Sequence, residues 1–165
     1  MVNRWSRVAL ALLALTQLEI GLWALAAPRN WFEQFPGGGH HWVAVLLPYN
    51  EHLARDAGAG FLALGVLLAW AAVSGDVRVV RPATVAALVL ALPHLGFHLA
   101  HSEGLSTGDT MANLAALAIA VVVPAAVLAL TWRRRETGAA GTAEARGTAD
   151  VTGIAAHSPS ASKPG

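Results

Sequence analysis

Four apolar stretches, at about 8–27, 54–73, 82–100 and 111–132, constrain this chain more than any other feature of its sequence. Each is close to the roughly 20 residues a helix needs to cross a hydrocarbon core about 30 Å thick. Inside a bilayer every backbone polar group must be satisfied within the protein, which leaves helices or closed barrels. Stretches of this length predict helices. The expected fold is therefore all-α, a four-span transmembrane bundle over residues 1–135. Only 13% of the residues are charged, against about 25% in ordinary soluble domains. The arginines are scattered around the spans and form no basic face, which argues against nucleic acid as a partner. There is no cysteine, so disulfides, thiolate metal sites and cysteine nucleophiles are excluded. From Glu136 the chain turns to Ala, Gly, Thr, Ser and Pro without an aromatic residue, which predicts a disordered cytoplasmic tail over 136–165.

The arginines set an orientation. Arg4 and Arg7 precede the first span, Arg78 and Arg81 lie between the second and third, and Arg133, Arg134 and Arg135 follow the fourth. The opposite connections carry only Arg29 and Arg55. Positive residues favour the cytoplasmic side, so both termini are expected inside a bacterial inner membrane, with 28–53 and 101–110 outside. Trp5, Trp70 and Trp132 then fall at inner ends, and Trp23, Trp31 and Trp42 at or beyond the outer end of the first span, as interfacial belts require. The first stretch also resembles a secretory signal. Gln17 and Glu19 interrupt its apolar run, which favours retention as a span.

The outer connection from Pro28 to Asn50 holds Trp31, Phe32, Phe35 and Trp42 around Pro36-Gly37-Gly38-Gly39. So aromatic a loop is expected to lie along the membrane surface or fold back over the bundle mouth, turning at the glycines. His40 and His41 read as solvated. Asn50 is a natural N-cap, with Glu51 in the first turn behind it.

Candidate chemistry collects in the outer half of the membrane. His94, His98 and His101 fall at i, i+4 and i+7, on one helical face. At about 1.5 Å per residue, His94 lies about 20 Å from the cytoplasmic entry and Glu19 about 17 Å. Their matched depth predicts that the two face one another, with Cα atoms within about 12 Å if an ion or water lies between them. The second helix brings Glu51, His52, Arg55 and Asp56 in its first turns, and the fourth brings Asp109 and Asn113. Glu51 with Arg55, and His52 with Asp56, are i, i+4 pairs. Pro93 frees the Val89 carbonyl, favouring a kink beside a polar cavity.

The candidate metal ligands are His52, His94, His98 and Glu19, supported by Glu51, Arg55, Asp56, His101 and Asn113. The His94-x-x-x-His98 spacing suits Zn, Cu or Fe with a third ligand from His52 or Glu19. A haem would need His52 opposite His94 or His98, because residues one turn apart cannot ligate both of its faces. The same set equally reads as a structural network joining helices through hydrogen bonds.

The runs GLWALAAPRNWFEQFPGGGHHW, PYNEHLARDAGAGFLALG and PHLGFHLAH resemble a group of uncharacterised actinobacterial four-span membrane proteins. More broadly, residues 1–135 look like the DoxX-like set of small four-helix membrane proteins in size, span count and polar residues near span starts. The resemblance implies the four-span fold and carries no site assignment. Three functions are compatible with the sequence. One is an inner-membrane protein with an outward pocket for a metal ion or small ligand. Another is a small redox component or enzyme using the histidines for haem, quinone or metal. The third is a non-catalytic accessory subunit, working as a homo-oligomer or beside a partner membrane subunit.

Overall fold

Asn3 starts the first helix, α1 (Arg4–Ala26), by accepting a hydrogen bond from Ser6 N at 2.7 Å. In this computed structural model, residues 1–45, 48–101 and 103–155 are described, with side chains described through Trp132. α1 stops where it does because Ala27 precedes a proline, and that position disfavours the helical region. Pro28 then opens the short helix α2 (Pro28–Gln34) from its first position, where its missing N–H costs nothing. A two-stranded hairpin follows, β1 (Pro36–Gly37) paired with β2 (His40–His41), and Gly38 and Gly39 turn it with positive φ. The Phe35–Pro36 peptide bond is cis.

Asn50 caps α3 (Glu51–Ser74) by accepting from Leu53 N at 3.1 Å, with Glu51 in the first turn as the sequence suggests. Gly75 ends α3 in the left-handed conformation, and Asp76 at once caps α4 (Val77–Ala100). Two residues thus connect two spans. Arg78 and Arg81 therefore sit in the opening turns of α4 rather than in a loop, and the helix begins well before Pro82. α4 runs helical through Pro82 and Pro93. The last helix, α5 (Thr107–Ala155), also contains a proline, Pro124.

Four helices are long and apolar enough to cross a membrane: Arg4–Ala26, Glu51–Ser74, Val77–Ala100 and Thr107–Trp132. The fold is thus all-helical apart from the small hairpin among the described residues, and it is compatible with a multi-pass membrane protein. The chain divides into a unit Met1–Ala129, which holds every contact discussed below, and a unit Leu130–Gly165. In the second unit the backbone is helical to Ala155, beyond Glu136 where the sequence reads as a disordered tail. The final part of that tail, 156–165, lies outside the described residues.

α1 and α3 are antiparallel and pack backbone to backbone. A methyl group on Gly21 would stand 2.6 Å from Leu62 N, and one on Gly65 would stand 2.8 Å from Leu18 Cγ. Small residues allow this approach, which is how apolar helices gain contact where lipid is no less apolar than leucine. Each helix also caps the other. Arg7 Nε and Nη2 of α1 donate to the Ala72 and Val73 carbonyls at the end of α3, at 2.8 and 2.7 Å. Arg55 Nη1 of α3 donates to the Leu25 carbonyl at the end of α1, at 2.7 Å. These arginines supply donors and positive charge where helices leave carbonyls unpaired. The main core draws Leu10 and Ala14 from α1, Leu68 from α3, Val80 and Ala83 from α4, and Val127 from α5.

Candidate functional site

Polar side chains gather at the end of the bundle where α2 and the hairpin lie. α2 turns Trp31 inward onto Ala24 and Ala54, and around them Trp23, Phe32, Phe35 and Tyr49 form a second cluster. Phe35 stacks obliquely with Trp31 at 6.0 Å and meets Trp42 edge-on at 6.2 Å. Of the two arrangements the sequence allows for this aromatic loop, this is the folded-back one. His40 and His41 are not simply solvated. The His41 ring contacts the Glu33 carbonyl, and His40 Nδ1 contacts the Asp109 carboxylate.

Asp109 joins that cover to α5. Its Oδ1 accepts from Trp42 Nε1 at 2.9 Å, and its Oδ2 accepts from Ser106 Oγ at 2.7 Å. Ser106 Oγ in turn accepts from Asp109 N at 3.1 Å, so the serine and aspartate cap the start of α5 reciprocally. The sequence marks Asp109 only as a polar residue entering from outside. Its link to Trp42 spans 67 positions, and no local spacing rule reaches that far.

His98 and Asn113 form the other polar contact, between α4 and α5. Asn113 Nδ2 donates to His98 Nδ1 at 3.0 Å, and the two residues are only 7% and 9% exposed, Asn113 the lower. With Nδ1 accepting, the single proton of a neutral ring sits on Nε2, which is then the ring's donor. Nε2 makes no hydrogen bond among the described residues. The half-buried His94 ring stacks on His98 at 5.0 Å, one turn along α4. His101 instead stacks on Phe97 at 4.4 Å, and its Nδ1 contacts the Phe97 carbonyl. The result is a stacked histidine pair with open nitrogens, fixed from one side by Asn113.

The remaining expected ligands lie elsewhere. Both i, i+4 pairs form: Arg55 Nε donates to Glu51 at 3.0 Å, and His52 Nε2 lies 3.3 Å from Asp56. The His52 side chain, however, is 88% exposed, on the outer surface of α3. Glu19 is also exposed, and at about 100° per residue it lies about 180° from the buried stripe Ser6, Leu10, Ala14, Gly21 and Ala24. It points away from the core, so it does not face His94 across the bundle. Depth along a helix says nothing of direction around its axis. Among the described residues no group of three or more His, Asp or Glu side chains is gathered as a metal would require. Of the four proposed ligands only His94 and His98 come together, and a haem between His52 and either of them has no counterpart in this arrangement.

No protein family model, curated protein or solved structure matches this chain.

Proposed function

We propose that this chain is a multi-pass protein of the bacterial inner membrane that binds a small lipophilic molecule bearing a carbonyl oxygen, of the quinone class, beside His98 and His94. The observation that carries this reading is the Asn113–His98 hydrogen bond. It holds the ring as the tautomer whose Nε2 donates, and a carbonyl oxygen is the complementary acceptor. A metal ion at Nε2 would require the other tautomer, with the Asn113 amide turned to accept from Nδ1, and more ligands than two histidines. The apolar flank of Phe97, itself 44% exposed, suits a ligand arriving sideways from the lipid. Arginine asymmetry favours an extracytoplasmic position for this end, since Arg4, Arg7, Arg78 and Arg81 cluster at the other.

The test is calorimetry on protein purified in mild detergent, titrated with a short-chain ubiquinone analogue and separately with Zn²⁺, alongside metal analysis and an absorption spectrum. The quinone analogue should bind saturably, and His98→Phe and Asn113→Leu should each weaken it by about tenfold, the weight of one buried hydrogen bond. A metal ion or haem present in stoichiometric amount and lost in His94→Ala would overturn the proposal in favour of a metal centre. Absence of quinone binding would overturn it as well.

A further inference from the structure

Glu19 is the one carboxylate on the outward face of a membrane-spanning helix of this protein that sits well inside the span and makes no hydrogen bond or ion pair among the described residues. It lies one turn inside Trp23, about 6 Å along the axis at about 1.5 Å per residue. A polar side chain turned toward lipid at that depth is costly and needs a partner. The residues around it have a definite pattern. Val8, Leu12, Leu15, Glu19 and Leu22 recur at alternating spacings of four and three along α1, and every one is exposed. That is the heptad seam by which two helices pack with a left-handed twist, and a single polar residue within it fixes register. The buried stripe of α1 is already used against α3 and the core, so this seam is a second, unoccupied face.

We propose that this seam pairs α1 with α1 of a second copy of the chain, in parallel, through Glu19. A two-fold axis brings identical residues to one depth. Two carboxyl groups brought together can share a proton, one donating and the other accepting, so a pair of Glu19 side chains can satisfy each other. No other molecule has to supply a complementary group. Leu12, Leu15 and Leu22 close the seam on either side of the pair and keep lipid from the hydrogen bonds.

The chain has no cysteine, so single cysteines report the interface directly in native membranes. Leu15→Cys and Leu22→Cys, both retaining Glu19, should form disulfide-linked dimers on mild oxidation. Val89→Cys, equally outward on α4 at 68% exposed, should not. Adding Glu19→Leu should reduce the dimer by about tenfold, while Glu19→Gln, whose amide is also donor and acceptor, should preserve it. These substitutions lie on an exposed face and leave the core intact. Equal cross-linking at Val89→Cys, none at the seam, adducts of a mass other than twice the chain, or a dimer indifferent to Glu19→Leu would each overturn the proposal.

Discussion

Between α1 and α3 the backbones touch, whereas α4 and α5 stay farther apart and are bridged by the side chains of His98 and Asn113. The first pair is closed almost throughout, Gln17 Oε1 of α1 being its one buried side-chain acceptor without a hydrogen-bond partner among the described residues. Glycines remove the gap, an arginine from each helix covers the carbonyls of the other, and Val2 N reaches the Gly75 carbonyl at 2.8 Å. The second pair leaves ring nitrogens open and carries the proline-interrupted helices, whose backbones lack ladder bonds at Pro93 and Pro124. One half of the bundle is a close-packed frame. The other retains the polar valences a ligand can use. This division teaches that in a membrane bundle stability comes from proximity of small residues, and capacity for binding from the places where proximity is given up.

The largest effect should come from breaking the frame. Gly21→Ala places a methyl group against backbone at Leu62 and Gly58, which cannot move aside like a side chain. We expect a loss of about 3 kcal/mol, at the upper end of overpacking costs, measured by unfolding in mixed detergent micelles. Gly60→Ala, in the same protein, meets nothing within 4 Å and should be neutral or slightly stabilising. Equal losses at Gly21 and Gly60 would mean that the helices do not touch as described.

The two arginine caps come next and should differ. Arg7 gives two bonds to the end of α3, one of them partly buried, whereas the bonds of Arg55 are exposed. Arg7→Ala should cost about 1.5 kcal/mol and Arg55→Ala about 0.5 kcal/mol, the range of exposed ionic contacts. The reverse order would show that the end bearing the aromatic cover, and not the Gly75 turn, is where the frame is held.

The parts of this structure that the sequence revealed are the local ones. Asn50 as a cap, Glu51 with Arg55, and His52 with Asp56 all depend on spacings of three or four residues, and helical geometry alone decides them. Direction around a helix is different. In a soluble protein polarity marks the outside, but every face of a span is apolar, so the heptad of Leu12, Leu15, Glu19 and Leu22 gives no sign of whether it looks inward. The glycines give that sign. Gly58 and Gly65 are seven apart on one stripe of α3, and Gly21 opposes them on α1. Reading small residues as the inward face would have turned Glu19 outward from the start. His98 with Asn113 required knowing which helices are neighbours, a property of tertiary packing that no spacing encodes.

The tie between the aromatic cover and α5 should be weaker than the glycine contacts and the Arg7 cap but easy to see. Asp109→Ala removes the acceptor of Trp42 and the contact with His40, and should cost about 1 kcal/mol. Its more sensitive readout is access. Val43, half-buried within the aromatic cluster, can be replaced by cysteine on this cysteine-free background. In detergent that cysteine should react with a polar maleimide about fivefold faster when Asp109 is alanine, the equilibrium weight of such a loss. An unchanged rate would mean that the aromatic contacts hold the cover without Asp109.

A small coupling is expected at the His98–Asn113 bond itself, and it tests the comparison most closely. Either single change, His98→Phe or Asn113→Leu, leaves a polar group buried between α4 and α5 without its partner, so each should destabilise on its own. The double variant restores an apolar contact, and its loss should fall short of the sum. Interhelical hydrogen bonds in membranes contribute about 0.6 kcal/mol on average, because the unfolded helices also find partners. A coupling of that size would mean the bond orients a ring more than it holds helices together, as expected if the pair is kept for binding. A coupling several times larger would make it a structural fastening comparable to the glycine contacts, and the contrast between frame and site would dissolve. Additive losses would mean that the two side chains do not depend on each other, and His98 would then have no fixed tautomer to present to a ligand.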